Sequence, residues 1–134
     1  MFNRKNKSTI DSLIGLATQI DGNLYFKGGL RIDGNVTGNV IAEEEQGSML
    51  IISEHARVSG EVRAAHIVVD GSIVGPLFSS ELLELLPKAR ITGDVHYKAL
   101  EMNSGATVSG QLSHHPDGFV TEPILQLSAN QAPA

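Results

Sequence analysis

Apolar and polar residues alternate along most of this chain, and glycine interrupts the alternation at regular intervals. The recurring unit is an aliphatic residue, any residue, Gly, any residue, and another aliphatic. It reads Ile20-Asp-Gly22-Asn-Leu24, Val36-Thr-Gly38-Asn-Val40 and Val58-Ser-Gly60-Glu-Val62, then Ile73-Val-Gly75-Pro-Leu77, Ile91-Thr-Gly93-Asp-Val95 and Val108-Ser-Gly110-Gln-Leu112. Two overlapping copies, Ile32-Asp-Gly34-Asn-Val36 and Val69-Asp-Gly71-Ser-Ile73, bring the count to eight, where chance gives roughly one. A period of two predicts short strands with one face inward. The glycines Gly22, Gly38, Gly60, Gly75, Gly93 and Gly110 are expected at corners, because glycine takes positive φ at little steric cost. Pro76 fits a corner too, where loss of a backbone donor is tolerated.

Aligning the six glycines divides the chain into windings of about 14–29, 30–49, 50–66, 67–82, 83–99 and 100–113. Further columns then line up. One is Leu30, Leu50, Ile67, Leu83 and Leu100; two residues on is Ile14, Ile32, Ile52, Val69, Leu85 and Met102. A small column, Thr18, Ala56, Ala89 and Ala106, is replaced in windings two and four by Asp-Gly-Asn and Asp-Gly-Ser turns. The run Leu82-Leu83-Glu84-Leu85-Leu86 keeps register with Leu50 and Ile52 and is read as strand rather than helix. About three short strands per winding make an all-β fold, a single-stranded parallel β-helix of about six windings, on the order of 25–30 Å long. The sequence Glu43-Glu44-Glu45-Gln46-Gly47 is a charged loop spliced into winding two. Residues 1–13 read as a flexible basic arm, 14–113 as the solenoid, and 114–134, with three prolines, as a disordered tail.

Composition narrows the function. Aromatic residues are 4% of the chain, with no Trp, which suits a narrow interior filled by Val, Ile, Leu and Ala. There is no Cys, which removes disulfides, thiolate metal sites and Cys nucleophiles and fits a reducing cytoplasm. No run is long and apolar enough to span a bilayer, and the amino end lacks the apolar centre of a secretory signal. Three of the ten basic residues, Arg4, Lys5 and Lys7, lie in the first seven positions with no acid among them. That leaves seven bases in the rest of the chain against all 15 acids. Nucleic-acid binding needs bases along the folded body, so no nucleic-acid partner is expected.

A solenoid buries each winding against its neighbours, and its two ends need a cap or a partner. No cap is evident in the sequence. Ile14, Ile20 and Leu24 at one end, and Leu100, Met102, Val108 and Leu112 at the other, are therefore expected to meet another copy, extending the rod into a filament. Tails folded back as caps are the competing arrangement.

The stretch Gly29-Leu-Arg31-Ile-Asp33-Gly-Asn-Val-Thr-Gly, the Val-x-Gly-x-Val series after it and the late Ala89-Arg-Ile-Thr-Gly-Asp resemble the bactofilins over about residues 12–113. The resemblance implies a right-handed, triangular β-helix and nucleotide-free polymers, usually of non-polar sense. It also implies disordered flanks and a role in placing cell-envelope or cell-shape proteins. Met1-Phe2-Asn3-Arg4-Lys5 is similar to a membrane-targeting amino end seen in many of them. Independently, burying Phe2 contributes about 1.5–3 kcal/mol, and Arg4, Lys5 and Lys7 add about 1 kcal/mol each near an anionic leaflet. One arm is marginal, whereas a filament presents many at once. The expected location is the inner face of the cytoplasmic membrane, with Met1, Phe2, Arg4, Lys5 and Lys7 in contact.

The alternative is a trimeric β-helical enzyme of the acyltransferase or carbonic-anhydrase type. Such repeats step strictly by six, whereas the windings here vary in length, and His55, His66 and His96 fall in different columns. His114, His115 and Asp117 offer a metal no fixed geometry. There is no nine-residue calcium repeat, no phosphate-cradling Gly-x-x-x-x-Gly-Lys and no nucleophile elbow. No catalytic residue, cofactor or metal is expected.

Overall fold

The computed structural model describes residues 10–44 and 46–117, which form sixteen strands. The first winding is β1 (Ser12–Ile14), β2 (Gln19–Asp21) and β3 (Leu24–Phe26); the second is β4 (Gly29–Ile32), β5 (Asn35–Thr37) and β6 (Val40–Ala42). The third begins with β7 (Met49–Ile52) and β8 (Arg57–Ser59), and β9 (Val62–Val69) runs through the corner to close it and open the fourth. After β10 (Ser72–Val74), β11 (Leu77–Leu85) joins windings four and five in the same way. Winding five is completed by β12 (Arg90–Thr92) and β13 (Val95–Tyr97), and winding six is β14 (Leu100–Met102), β15 (Thr107–Ser109) and β16 (Leu112–His114).

All pairings are parallel and form three ladders. Face one stacks β1, β4, β7, the second half of β9, the second half of β11, and β14. Face two stacks β2, β5, β8, β10, β12 and β15. Face three stacks β3, β6, the first halves of β9 and β11, β13 and β16. Three faces of six strands make a triangular section, and the aligned columns of the sequence are the inward residues of these ladders.

The ladders reach slightly beyond the boundaries expected from the apolar pattern. Ser12 and Leu13, within the span expected for the arm, belong to β1, where Ser12 stacks on Leu30 and Leu13 on Arg31. At the other end β16 includes His114, the first residue of the expected tail. Strand extent follows backbone pairing, such as Asp11 N–H to the Gly29 carbonyl at 2.9 Å, and not side-chain polarity alone.

The corner between faces two and three carries the glycine column. A Cβ on Gly75, whose φ is +143°, would lie 2.2 Å from the Gly60 carbonyl oxygen. The next residue in each winding extends a side-chain ladder. Asn23 Oδ1 accepts from Asn39 N–H, Asn39 Oδ1 from Glu61 N–H, and Asp94 Oδ1 from Gln111 N–H, at 2.9, 2.9 and 3.1 Å. Pro76 occupies this position in winding four and has no N–H to offer. The Glu61 carboxylate beneath it pairs with Arg63 instead.

The corner between faces one and two alternates at first between wide arcs and tight turns. Wide arcs close with bonds such as Ala56 N–H to the Ser53 carbonyl (2.9 Å) and Ala89 N–H to the Leu86 carbonyl (2.9 Å). Gly71 makes a tight turn against the preceding arc, where a Cβ would fall 2.3 Å from the Ser53 carbonyl oxygen.

At the third corner the interior contains two serines. Ser48 Oγ accepts from Ala65 N–H at 2.9 Å, and Ser79 Oγ donates to the Ala65 carbonyl at 2.9 Å. This satisfies the backbone where β9 rounds the corner.

Candidate assembly surfaces at the two ends of the stack

Each inward column is sealed in the middle and open at its ends. On face one, Ile32, Ile52, Val69 and Leu85 are 0% exposed, whereas Met102 at the end of the same column is 46% exposed. On face three, Val40, Val62, Leu77 and Val95 are 0% exposed and Leu112 is 45% exposed. On face two, Val36, Val58, Ile73 and Ile91 are buried, while Ile20 and Val108 are half-buried. Ile14, Leu24 and Leu100 are half-buried too. The sequence-predicted set thus divides into two flat ends, Ile14, Ile20 and Leu24 on winding one and Leu100, Met102, Val108 and Leu112 on winding six.

The backbone repeats the pattern. Among the described residues β1, β2 and β3 each pair on one side only, as do β14, β15 and β16. The corner glycines agree: a Cβ on Gly38 would lie 2.1 Å from the Gly22 carbonyl oxygen, but a Cβ on Gly22 would meet nothing within 4 Å. Thr18, aligned in the sequence with buried Ala56 and Ala89, is exposed because no winding lies outside it.

Some end residues escape a repeat-based reading. Leu13 and Leu16 are 60% and 66% exposed. Leu16 occupies the wide arc of winding one; the bonds that close the arcs align it with Glu54 in winding three and Pro87 in winding five. Apolar residues in a solvent-facing arc were the available signal. At the other end Tyr97 and Ala106 pack against the core beside Leu100 and Val108.

The carboxyl-terminal end also holds an outward ladder on face three that the sequence did not suggest. The Arg63 guanidinium lies 3.9 Å over the Phe78 ring, Phe78 stacks on His96 at 4.6 Å, and His96 Nδ1 is 3.1 Å from His115 Nε2. Burial, and then the neighbouring His115, hold the His96 imidazole below its ordinary pKa. His114 turns elsewhere, stacked on Tyr97 at 5.3 Å with Nε2 2.9 Å from the Lys98 carbonyl. His114 and His115, expected in a shapeless tail, thus have separate partners. His66 pairs with Glu84 at 2.6 Å. Among the described residues no three His, Cys, Asp or Glu side chains converge as metal ligands, and no helix is long and apolar enough to cross a membrane. Met1, Phe2, Arg4, Lys5 and Lys7 lie outside the described residues.

Comparison with known proteins gives these ends their context. Residues 12–113 match the family described as "Bactofilin: Polymer-forming cytoskeletal". Bactofilin BacO of Myxococcus xanthus (strain DK1622) is 23% identical over 111 residues, covering 83% of this chain and 85% of its own. The Thermus thermophilus bactofilin, solved by cryo-EM as double helical filaments, superposes with a TM-score of 0.68 at 30% identity, over 78% of this chain and 99% of that one. The cytoskeletal bactofilin BacA, solved by solid-state NMR, gives 0.67 at 29% identity, over 77% and 94%. The matched family is structural, which sets aside the trimeric-enzyme reading. A stack of parallel windings open at both ends, a family match over nearly all of it and a backbone shared with two solved relatives lead to one assignment: the chain belongs to the bactofilins, a family of polymer-forming cytoskeletal proteins.

Proposed function

We propose that this chain polymerises through the outer surfaces of windings one and six, without nucleotide or metal. The resulting filament lies on the inner face of the cytoplasmic membrane, held there by the arm of residues 1–13, and positions cell-envelope or cell-shape proteins. The observation that carries the reading is the contrast within single columns, 0% exposure in the middle against 46% at Met102 and 45% at Leu112. Covering one such side chain contributes about 1.5–3 kcal/mol, and several lie in one plane with unpaired strand edges.

Negative-stain microscopy of the purified chain in plain buffer tests the assembly. Long filaments are expected without added nucleotide or metal, and a monodisperse single subunit at high concentration overturns it. Val108→Arg should give short soluble species, because a charge would be buried without a partner at the joint. Normal filaments from that variant remove winding six from the interface. Phe2→Glu tests the arm separately: it should release the protein from anionic liposomes while filaments persist.

A further inference from the structure

One inward column of winding six ends in a group that can take a charge. On face three, Ala64, Ser79, Tyr97 and His114 stack in strict register, beside the column that ends at Leu112. Ala64 and Ser79 are 0% exposed, Tyr97 is half-buried, and His114 is exposed at the open end. His114 therefore stands where a further winding would cover it. The other column ends described above are aliphatic or Met: Leu100, Met102, Val108 and Leu112 on the same surface, and Ile14, Ile20 and Leu24 on the opposite one.

The contacts of this imidazole fix where its protons sit. Its Nε2 lies 2.9 Å from the Lys98 carbonyl oxygen, which only accepts, so Nε2 carries the proton and Nδ1 is the bare nitrogen. A second proton goes to Nδ1 and makes the ring a cation. β13, the strand on which β16 packs, faces it with the Tyr97 ring at 5.3 Å and with Lys98, whose side chain is exposed. On its own segment the neighbours are His115, bonded to His96 on the outward side, and Asp117 three residues on. Among the described residues His114 belongs to no ion pair.

We infer that His114 is a proton gate on end-to-end assembly: the neutral imidazole permits a joint at winding six, and the imidazolium opens it. The inference rests on the end-to-end reading. At a free end, water solvates either form. Another copy covering that end removes the water and leaves a cation among aliphatic side chains, where an unpaired charge is strongly disfavoured. The ordinary imidazole pKa of about 6.5 puts this change near neutrality. The sign follows from linkage: a covered His114 holds its second proton less readily than a free one, so assembly releases protons and is favoured as pH rises. Each subunit carries one His114, so below the ordinary value the critical concentration rises about tenfold per pH unit. The contact of His96 with His115 lies on the outward side and acts on folding, so the two effects separate by mutation.

Sedimentation of the full chain at about pH 7.5 and about pH 5.5, either side of the ordinary imidazole value, measures the critical concentration. Circular dichroism of the same samples follows the fold. The critical concentration should be about tenfold higher at the lower pH. His114→Gln keeps an N–H for the Lys98 carbonyl but takes no proton, and should assemble equally at both. His114→Lys is charged at both and should stay in the supernatant at both. The lysine variant needs no acid, so it tests the gate independently of any softening of the fold there. His96→Gln should keep the acid response of assembly. An unmodified chain that assembles equally at both pH values overturns the gate and leaves the end-to-end reading intact. Acid sensitivity that persists in His114→Gln or vanishes in His96→Gln, or normal filaments from His114→Lys, also overturns it. If no filaments form at either pH, the end-to-end reading falls and the gate falls with it.

Discussion

A single methyl group distinguishes the interior of this stack from its end. Gly75→Ala places a Cβ 2.2 Å from the Gly60 carbonyl oxygen, a backbone clash that no side-chain rotation relieves. Gly22→Ala, at φ +135° with nothing within 4 Å, incurs only conformational strain of about 1–3 kcal/mol. Thermal unfolding should therefore show severe loss for the first and moderate loss for the second. In assembly the ranking changes: the open space beside Gly22 is where a neighbouring copy would come, so Gly22→Ala should impair polymerisation beyond its effect on folding. Light scattering of the folded variant checks this. Ser79 gives a second residue-scale prediction. Removing its hydroxyl removes the buried bond to the Ala65 carbonyl and should cost about 0.5–1.5 kcal/mol, read from denaturant unfolding. His96 gives a third. Its pKa is depressed in the folded chain, so the unfolded chain binds the proton first. The contribution of His96 is present above the ordinary imidazole value of about 6.5 and is lost as pH falls through the folded value. His96→Gln should flatten the decline of the melting temperature between about pH 7 and pH 5.

At the scale of strands and corners, much was legible because the repeat is written in side chains. Ile32, Ile52, Val69 and Leu85 form one column because each must cover the one before it, and period two admits one inward set. The strand over Leu82–Leu85 was readable by register although its composition also suits a helix. The partners of outward residues were not legible. His66 with Glu84, and His96 with Phe78 and His115, meet only because the windings bring positions some 18 residues apart into contact, and outward side chains obey no burial rule. The serine pair at the third corner was hidden for a related reason. Ser48 and Ser79 look like surface residues until β9 is seen to run through a corner where other windings break. Element position also sets energetics. Ile73→Ala, in the sealed middle, should cost about 2–5 kcal/mol whether or not the protein is assembled. Leu112→Ala, at an open end, should cost the isolated subunit much less and act mainly on polymerisation. Comparing unfolding below and above the assembly concentration separates the two.

For the whole molecule, the outermost strands among the described residues, β1 to β3 and β14 to β16, each pair on one side only. Among the described residues, windings one and six differ from the middle four chiefly in having one neighbour instead of two, so under the proposed end-to-end assembly, folding and polymerisation would draw on the same kind of contact. The alignment of glycines foretold this architecture, but it did not reveal the exposed Leu13 and Leu16 at the amino-terminal end or the His114 imidazole that ends a column on winding six.

The spliced loop of winding two has a practical corollary. Glu43 N–H bonds the Phe26 carbonyl at 2.8 Å and Met49 N–H bonds the Gly28 carbonyl at 3.0 Å, so the chain departs and returns over two residues of the winding beneath, and β7 still aligns with β4. A foreign peptide grafted at 44–46 would inherit the same two anchor points and leave the coil undisturbed. An assembled fibre built from such grafts would carry its cargo like rungs on a ruler, with one tag for every subunit length of about 29 Å.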